Sequence, residues 1–335
     1  MFGFFRKKEN NNDYLNEDIK YNILENPIES SLIGLAIGDA FGVPVEFKPR
    51  SYFLSNKVTT LLEFGTHNQP KGTWSDDTSM TIATMCSIID NKDIDYNDIM
   101  KRFLNYYKKG EYTPFDKCFD IGFTCSTALY RFNGTNALKC GSTRINDNGN
   151  GSLMRMLPIV FYAYYKKLDE EQIYKLVNDA SSITHGHDVS KLGCYLYTKY
   201  MLFLLEGHNK FESYELLKKL ELNYDAKAIN AYNRILKEDI YKCDIDEINS
   251  SGYVVDTLES VLWSILNTNN YKDSIITSVN LGEDTDTIGA ITGSISGLLY
   301  GLDYIPVEWK IYLKKSIYLM DIAKKFEKVL KSNFC

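Results

Sequence analysis

Two stripes of glycine at four-residue spacing constrain this chain more than any other feature of its sequence. The first comprises Gly34, Gly38 and Gly42, and the second comprises Gly289, Gly293, Gly297 and Gly301. Glycine inside a helix costs about 1 kcal/mol relative to alanine, so a regular stripe needs a compensating contact. Four-residue spacing places the glycines on nearly one helix face, where a second backbone can approach closely. The stripes therefore predict two buried, tightly packed helices.

The rest of the chain is also typical of helices. Apolar residues recur at helical spacing in five further segments, residues 82–89, 173–177, 192–205, 258–266 and 311–330. Only seven prolines occur, and no series of alternating strands separated by hairpin signals is present. The pattern predicts a single all-α domain over residues 19–335, after a mobile tail over residues 1–18. The polar stretch 207–252 is the best candidate for a loose or inserted segment.

Composition and charge limit the classes of function. Of the 335 residues, 44% are hydrophobic and 24% are charged, as in an ordinary globular protein. The net charge of -6 argues against a general nucleic-acid binder, which normally presents a basic field. The seven cysteines are dispersed and form no C-x-x-C pair, which favours free thiols in a reducing cytoplasm.

The N-terminal residues predict neither secretion nor a membrane partner. An apolar start, residues 1–5, precedes the basic residues 6–8, whereas a secretory signal places its charges first. The apolar start is also too short to span a bilayer.

Acidic residues recur beside the predicted glycine-rich helices. Residues 75–78 (Ser-Asp-Asp-Thr) precede an apolar helical segment, residues 283–287 (Glu-Asp-Thr-Asp-Thr) precede the second glycine stripe, and Glu46 follows the first. Asp, Ser and Thr are preferred helix N-caps, so each segment has a purely structural interpretation. A cap needs only one oxygen, however, and each aspartate segment supplies at least two carboxylates together with hydroxyl groups.

If the helices bring these segments together, five carboxylates share a small volume: Glu46, Asp76, Asp77, Asp284 and Asp286. Like charges so close would raise their pKa values sharply unless a cation neutralised them. Oxygen ligands select hard ions such as Mg2+ or Mn2+, and the absence of Cys and His from these segments argues against zinc. Metal binding and helix capping both remain open on spacing alone.

Two further segments carry polar residues suited to a ligand. Residues 148–155 read Asn-Gly-Asn-Gly-Ser-Leu-Met-Arg, which is typical either of a tight turn or of a glycine loop whose amides hold an anion. Residues 184–188 read Thr-His-Gly-His-Asp. A His-Asp phosphohydrolase would need further His and Asp ligands, so a structural or substrate-contacting histidine is the better interpretation.

The order of these segments resembles the ADP-ribosylglycohydrolase family, which includes the dinitrogenase-reductase-activating enzyme. The matching pieces are residues 34–46 (Gly-Leu-Ala-Ile-Gly-Asp-Ala-Phe-Gly-Val-Pro-Val-Glu), 74–78 (Trp-Ser-Asp-Asp-Thr), 120–122 (Asp-Ile-Gly), 149–155, 184–185, 252–258 (Gly-Tyr-Val-Val-Asp-Thr-Leu) and 281–290 (Leu-Gly-Glu-Asp-Thr-Asp-Thr-Ile-Gly-Ala). The resemblance spans about residues 30 to 310, and the combination of motifs is highly specific.

The resemblance implies a compact many-helix orthogonal bundle with a dinuclear Mg2+ or Mn2+ site at helix N-termini. The implied metal ligands are Ser75, Asp76, Asp77, Asp284, Asp286 and Thr287. The implied catalytic residues are Glu46, beside the scissile bond, together with Asp77 and Asp284. The implied substrate contacts are Gly149, Asn150, Gly151 and Ser152 for the diphosphate or distal ribose, Asp120 and His185 near the ribose, and Tyr253 over the adenine.

The function that the resemblance implies is metal-dependent cleavage of the glycosidic bond between ADP-ribose and an acceptor. The expected partner is an ADP-ribosylated protein or another ADP-ribose conjugate, with the acceptor group left open. A non-catalytic ADP-ribose binder and a structural protein on the same fold are the alternatives, and the retained acidic motifs argue against both. Four residues differ from the family pattern. Ser75 stands where several relatives have threonine, Glu283 stands where relatives have Gly or Asp, and Cys125-Ser126 occupies a stretch that often carries Thr and Arg.

Overall fold

The computed structural model describes residues 26–332, which form sixteen α-helices and no β-strand beyond two isolated bridges. In chain order the helices are α1 Pro27–Gly42, α2 Arg50–Phe53, α3 Asp76–Asn91, α4 Tyr96–Lys109, α5 Phe123–Arg131, α6 Leu157–Lys166, α7 Glu170–Ser182, α8 Asp188–Leu205, α9 Lys210–Leu217, α10 Ala226–Ala231, α11 Asn233–Lys237, α12 Val254–Leu266, α13 Tyr271–Val279, α14 Thr285–Tyr300, α15 Val307–Tyr312 and α16 Ser316–Ser332. The predicted all-α class is confirmed. The proposed tail, residues 1–18, lies outside the described residues.

The two glycine stripes pair α1 with α14 in antiparallel orientation. A Cβ atom at Gly38 would lie 1.9 Å from the carbonyl oxygen of Gly289, and one at Gly34 would lie 2.3 Å from that of Gly293. Only glycine permits this contact, because any other residue would place its Cβ inside the opposite backbone. The predicted close packing is therefore confirmed for α1 and α14. Gly301 differs from the rest of its stripe, since it ends α14 with a φ of 88°.

Helix α1 is buried along its whole length. Residues Pro27–Val45 are long and apolar enough to cross a membrane by length and composition alone, yet the structure buries all of them inside the protein. A buried core helix passes the same test, so this hydropathy is weak evidence for a membrane span.

Local signals in the sequence explain where many helices begin and end. Helix α4 begins after Asp95, whose carboxylate accepts hydrogen bonds from the backbone N–H groups of Asn97 and Asp98. It ends at Gly110, whose φ of 70° suits glycine. Helix α7 begins with a capping box between Asp169 and Gln172.

Residues 207–252 are not a loose segment, contrary to the expectation from their polarity. They contain helices α9, α10 and α11, of which α9 packs against α8 and α12 and α10 packs against α8. The buried hydroxyl of Tyr214 donates to the carbonyl of Ile235 at 2.8 Å, and that of Tyr232 donates to the carbonyl of Val189 on α8 at 2.8 Å. Tyrosine supplies both core volume and a hydrogen bond here, which a count of polar residues does not reveal.

Candidate active site

Three helix ends meet to form the candidate site. Because α1 and α14 are antiparallel, the end of α1 lies beside the start of α14, where Thr285 Oγ1 donates to the carbonyl of Gly42 at 2.8 Å. The start of α3 joins them through Asp39 of α1. These ends carry the predicted acidic residues: Glu46 after α1, Asp76 and Asp77 in α3, and Asp284 and Asp286 at the start of α14.

Asp39 and Ser75 cap helix α3. The Asp39 carboxylate accepts hydrogen bonds from the N–H of Ser75 at 2.9 Å, from the N–H of Thr78 at 3.1 Å and from the hydroxyl of Thr78 at 2.6 Å. Ser75 Oγ accepts a hydrogen bond from the N–H of Asp77 at 3.3 Å. Asp39 and Ser75 therefore supply the cap, which leaves the carboxylates of Asp76 and Asp77 for another purpose.

The aspartates of α14 do not cap the helix in the usual way either. Asp284 occupies the N-cap position without accepting a capping hydrogen bond, and its Oδ2 instead accepts from Asn150 Nδ2 at 2.7 Å. Asp286 Oδ1 accepts from the N–H of its neighbour Thr287 at 2.9 Å. Helix capping alone therefore does not explain the second acidic segment.

The loop that carries Glu46 is held in place rather than free. The N–H of Phe47 donates to the carbonyl of Glu283 at 2.7 Å, and the N–H of Glu283 donates to the carbonyl of Lys48 at 2.8 Å. Thr66 Oγ1 donates to the carbonyl of Glu46 at 2.7 Å. Glu46 is buried by these contacts, whereas the side chain of Glu283 is exposed.

Asp77 links α3 to α14 and has an unsatisfied oxygen. Its Oδ2 accepts hydrogen bonds from Ser75 Oγ at 3.1 Å and from Thr287 Oγ1 at 3.4 Å. Its Oδ1 is buried and has no hydrogen-bond partner. A buried carboxylate oxygen without a partner is costly, so this atom is suited to a cation.

A second group of donor atoms lies beside this one. One ligand atom from each of Glu46, His67, Asp120 and Asp286 falls within 4.8 Å of the others, a grouping that could hold a metal ion. His67 Nε2 is hydrogen-bonded to Glu46 Oε2 and lies 3.9 Å from Asp120 Oδ2. Its ring also lies between aromatic rings, with centroid distances of 5.9 Å to Phe47 and 5.4 Å to Phe119.

The electrostatics of the site favour a cation. Burial, followed by the charges of neighbouring carboxylates, raises the pKa values of Asp76, Asp77 and Asp286 well above the usual range. Burial also raises the pKa of Asp39 to about 7. Among residues 26–332 no lysine or arginine forms an ion pair with these carboxylates.

His67 is the one basic side chain paired with the cluster in the described part of the chain. Burial alone would lower its pKa, but the hydrogen bond to Glu46 and the charges of Glu46 and Asp120 raise it overall. Burial raises the pKa values of Glu46 and Asp120, against the opposing effect of His67. A single histidine does not neutralise this number of carboxylates.

The predicted substrate-binding loop, residues 149–152, lies beside the acidic cluster. We call it the glycine loop. Its backbone pairs with the start of α12, where the N–H of Asn150 donates to the carbonyl of Gly252 at 3.1 Å. Gly149 forms an isolated bridge with Tyr253, which is 39% exposed and therefore reachable by a ligand. The structure thus brings this loop, Tyr253 and Asp284 together.

The glycine loop matches the predicted anion cradle only in part. The amide of Asn150 is already used, whereas those of Gly149, Gly151 and Ser152 make no hydrogen bond within residues 26–332. The side chain of Ser152 is fully buried, accepting from Ser181 Oγ at 3.0 Å, so its hydroxyl faces the core. Any ligand contact by Ser152 would have to use its backbone.

Sequence reasoning gave no role to Asp39 or His67. Asp39 could have been found, because a carboxylate in the apolar second half of a buried helix needs hydrogen-bond donors. His67 lies in the loop before α3, and no pattern around it predicts contact with Glu46. His187, from the segment considered for phosphohydrolase chemistry, instead caps α8 by accepting from the N–H of Val189 at 3.2 Å.

Comparison with known proteins identifies the family to which a chain with this site belongs. The profile of the ADP-ribosylglycohydrolase family matches residues 21–333. The chain belongs to the ADP-ribosylglycohydrolase family. It is therefore a hydrolase of the class that cleaves glycosidic bonds to ADP-ribose.

Relatives within the ADP-ribosylglycohydrolase family share much of the chain. An ADP-ribosylarginine hydrolase, Tri1, of Serratia proteamaculans is 31% identical over 89% of this chain and 78% of its own length. The ADP-ribosyl-[dinitrogen reductase] glycohydrolase of Rhodospirillum rubrum is 29% identical over 83% of this chain and 87% of its own length. A solved structure described as an ADP-ribosylglycohydrolase-related protein complex matches with a TM-score of 0.77 and 26% identity, covering 91% of this chain and 98% of the other.

Proposed function

We propose that this protein uses divalent metal ions to cleave the bond between ADP-ribose and an arginine side chain of a modified protein. The observation that carries the metal requirement is the buried acidic cluster. In it Asp77 Oδ1 has no hydrogen-bond partner, and no lysine or arginine within residues 26–332 forms an ion pair with the clustered carboxylates. The arginine acceptor is supported by the relatives from Serratia proteamaculans and Pseudomonas putida, which are 31% and 30% identical and are named ADP-ribosylarginine hydrolases.

The donor set fits hard cations. We propose that two Mg2+ or Mn2+ ions are held by Ser75, Asp76, Asp77, Asp284, Asp286 and Thr287, which supply only oxygen atoms. Glu46 and Asp120 lie at the edge of this set, in the group that also includes His67. When bound, such ions supply positive charge that holds ribose hydroxyls and lowers the pKa of a water molecule.

The side chains around the cluster would orient the sugar and manage the proton. Bond cleavage at the anomeric carbon builds positive charge on the ribose ring, which nearby carboxylates stabilise. Because Glu46 Oε2 is hydrogen-bonded to His67, its Oε1 remains for the water or the leaving nitrogen. Asn150 fixes one oxygen of Asp284, so that carboxylate has a defined orientation. The glycine loop would receive the diphosphate through its free amides.

We propose that the protein acts in the cytoplasm and that it binds a modified protein rather than a nucleic acid. All six cysteines in the described part of the chain are free, as expected for a reducing compartment. The net charge of -6 is unfavourable for general nucleic-acid binding.

The decisive experiment measures release of free ADP-ribose from proteins modified separately on arginine and on serine. We expect release from arginine in the presence of Mg2+ or Mn2+ and none in EDTA. Release that persists in EDTA would overturn the metal requirement. Release from serine alone would overturn the acceptor, and tight binding of ADP-ribose without any release would overturn catalysis.

Two variants separate the roles of Glu46 and Asp286. Glu46→Gln should retain Mn2+ and ADP-ribose binding while turnover falls about 100-fold, the scale of a positioned acid–base group. Asp286→Asn should weaken Mn2+ binding first and lose activity as a consequence. Calorimetry with Mn2+ measures both, and the opposite pattern would show that the two roles are reversed.

A further inference from the structure

His185 lies between the glycine loop and the buried guanidinium of Arg155. A Cβ atom at Gly151 would lie 3.1 Å from Cε1 and 3.6 Å from Nε2 of His185, and one at Gly149 would lie 3.7 Å from Nε2. The Nε2 edge of the ring therefore faces the loop. Within residues 26–332 the ring makes one hydrogen bond, between Nδ1 and Thr184 Oγ1 at 2.9 Å. Nε2 is left for a ligand.

The hydroxyl of Thr184 has one hydrogen to donate, and the structure indicates where it goes. Arg155 Nη2 donates to Thr184 Oγ1 at 2.8 Å, and a guanidinium can only donate. The hydroxyl hydrogen therefore remains for His185 Nδ1 or for the thiol of Cys125, which also lies beside Thr184. Sulfur is a weak acceptor and imidazole nitrogen a strong one, so the hydrogen points to Nδ1. An Nδ1 that accepts a hydrogen bond leaves the proton of the neutral ring on Nε2.

The charge of Arg155 favours the same arrangement. Arg155 is buried, and no carboxylate in the described part of the chain lies within ion-pair distance of it. Its other contacts are the carbonyl of Ala180 at 3.0 Å and the ring of Phe103 at 5.0 Å. A positive charge beyond Thr184 attracts the lone pair of Nδ1 and repels a proton there. Burial, and then the charge of Arg155, lower the pKa of His185 to about 3, so the ring is neutral at physiological pH.

We propose that Arg155 and Thr184 are positioning residues that fix His185 as its neutral Nε2–H tautomer, so that its Nε2 donates, rather than accepts, a hydrogen bond at the ribose contact that the family resemblance implies for His185. The ligand part of this proposal rests on the proposed function, whereas the tautomer does not. An Nε2 that carries a proton cannot ligate a metal ion, so His185 would contact the sugar or the phosphate and remain outside the metal centre.

The test of the tautomer is a long-range 1H–15N correlation spectrum of the uniformly 15N-labelled, ligand-free protein. The His185 signals are identified by their loss in His185→Gln. We expect the pattern of a protonated Nε2 and an unprotonated Nδ1 in the wild type. Thr184→Val, which keeps the shape but removes the hydroxyl, should shift His185 toward the Nδ1–H form, and Thr184→Ser should restore the wild-type pattern. The signals of His187 serve as the unchanged reference.

Binding of ADP-ribose, measured by calorimetry, tests the ligand part. Thr184→Val should weaken binding about 10-fold, the effect of one lost hydrogen bond, and Thr184→Ser should leave it near the wild-type value. An Nδ1–H pattern in the wild type, or an unchanged tautomer in Thr184→Val, would overturn the proposal even in an active hydrolase. If the protein shows the expected tautomer but has no hydrolase activity, the proposed function is overturned. The tautomer of His185, and its control by Arg155 and Thr184, would then still be supported. If Thr184→Val does not fold, the wild-type spectrum alone decides.

Discussion

Substitution of Gly38 by alanine should disrupt both the packing of α1 on α14 and the geometry of the active site. The new Cβ atom would lie 1.9 Å from the carbonyl oxygen of Gly289, whereas ordinary van der Waals contact begins at 3.4 Å. The helices must therefore separate by about 1.5 Å, the difference between these two distances, at this point. Overpacking of this kind costs roughly 1–3 kcal/mol, and the better helix propensity of alanine offsets about 1 kcal/mol.

The same displacement acts on the chemistry. Glu46 follows α1 and Asp286 begins α14, so a shift between the helices changes the distance between these carboxylates. A misplacement of about 1 Å can reduce turnover by roughly 100-fold. We therefore expect Gly38→Ala to lower kcat/KM for release of ADP-ribose by at least about 10-fold in protein that is still folded.

Gly207→Ala is the matched control, because it destabilises the fold away from the site. Gly207 has a φ of 96°, which alanine adopts only at a cost of roughly 1–2 kcal/mol. It follows α8, whose 18 residues extend about 27 Å from His187. Urea unfolding should show a loss of stability in both variants, with activity lost only in Gly38→Ala. Full activity in Gly38→Ala, or an equal loss of activity in Gly207→Ala, would refute the link between helix packing and the site.

Three further outcomes follow from the structure. In urea titrations, Asp39→Asn should lower the free energy of unfolding by about 1–3 kcal/mol, because an amide cannot accept all the hydrogen bonds from the start of α3. The control is Asp95→Asn at an exposed cap, which should change the free energy of unfolding by less than about 0.5 kcal/mol. Gly151→Ala places a Cβ 2.7 Å from Cys125 Sγ and should weaken ADP-ribose binding, while the double variant with Cys125→Ala should recover part of the affinity. The folded pKa of Asp77 lies above its ordinary value of 3.8, so the metal-free protein should lose stability as pH rises from that value through the folded pKa. The increase in Tm on adding Mn2+ should therefore grow from about pH 5 to about pH 7.5, and an increase that is constant with pH would contradict it.

The features that the sequence predicted correctly are those with a period or a strong local cause. Four-residue glycine spacing has few physical explanations, and it correctly indicated that α1 and α14 are buried and tightly packed. That the two helices pack on each other was not predicted. The acidic segments were predicted at helix starts because Ser, Thr and Asp favour those positions, and the structure places Ser75 and Asp284 at the N-caps. Their roles as metal ligands and catalytic groups stay predictions.

The features that were missed depend on contacts between distant parts of the chain. His67 meets Glu46 only because the loop before α3 folds over the end of α1, and no local pattern fixes that path. The hydroxyl of Ser152 turns inward because Ser181 offers a buried partner, and the predicted ligand contact of its backbone amide stays a prediction. Asn150 was expected to offer its amide to an anion, yet Gly252 already accepts it. Each of these features depends on the direction of a group, which follows from tertiary neighbours rather than from neighbours in sequence.

The pairing of α1 with α14 also has a consequence for how the protein is made. The hydrogen bond from Thr285 to Gly42 joins residues 243 positions apart. At a synthesis rate of about 5–20 residues per second, α1 would emerge from the ribosome roughly 12–50 s before its partner. During that interval an apolar helix with an open glycine face would have no native surface to cover it. We therefore expect the glycine face of α1 to need a temporary cover, from a chaperone or from other helices, until α14 arrives and completes the acidic site in the same step.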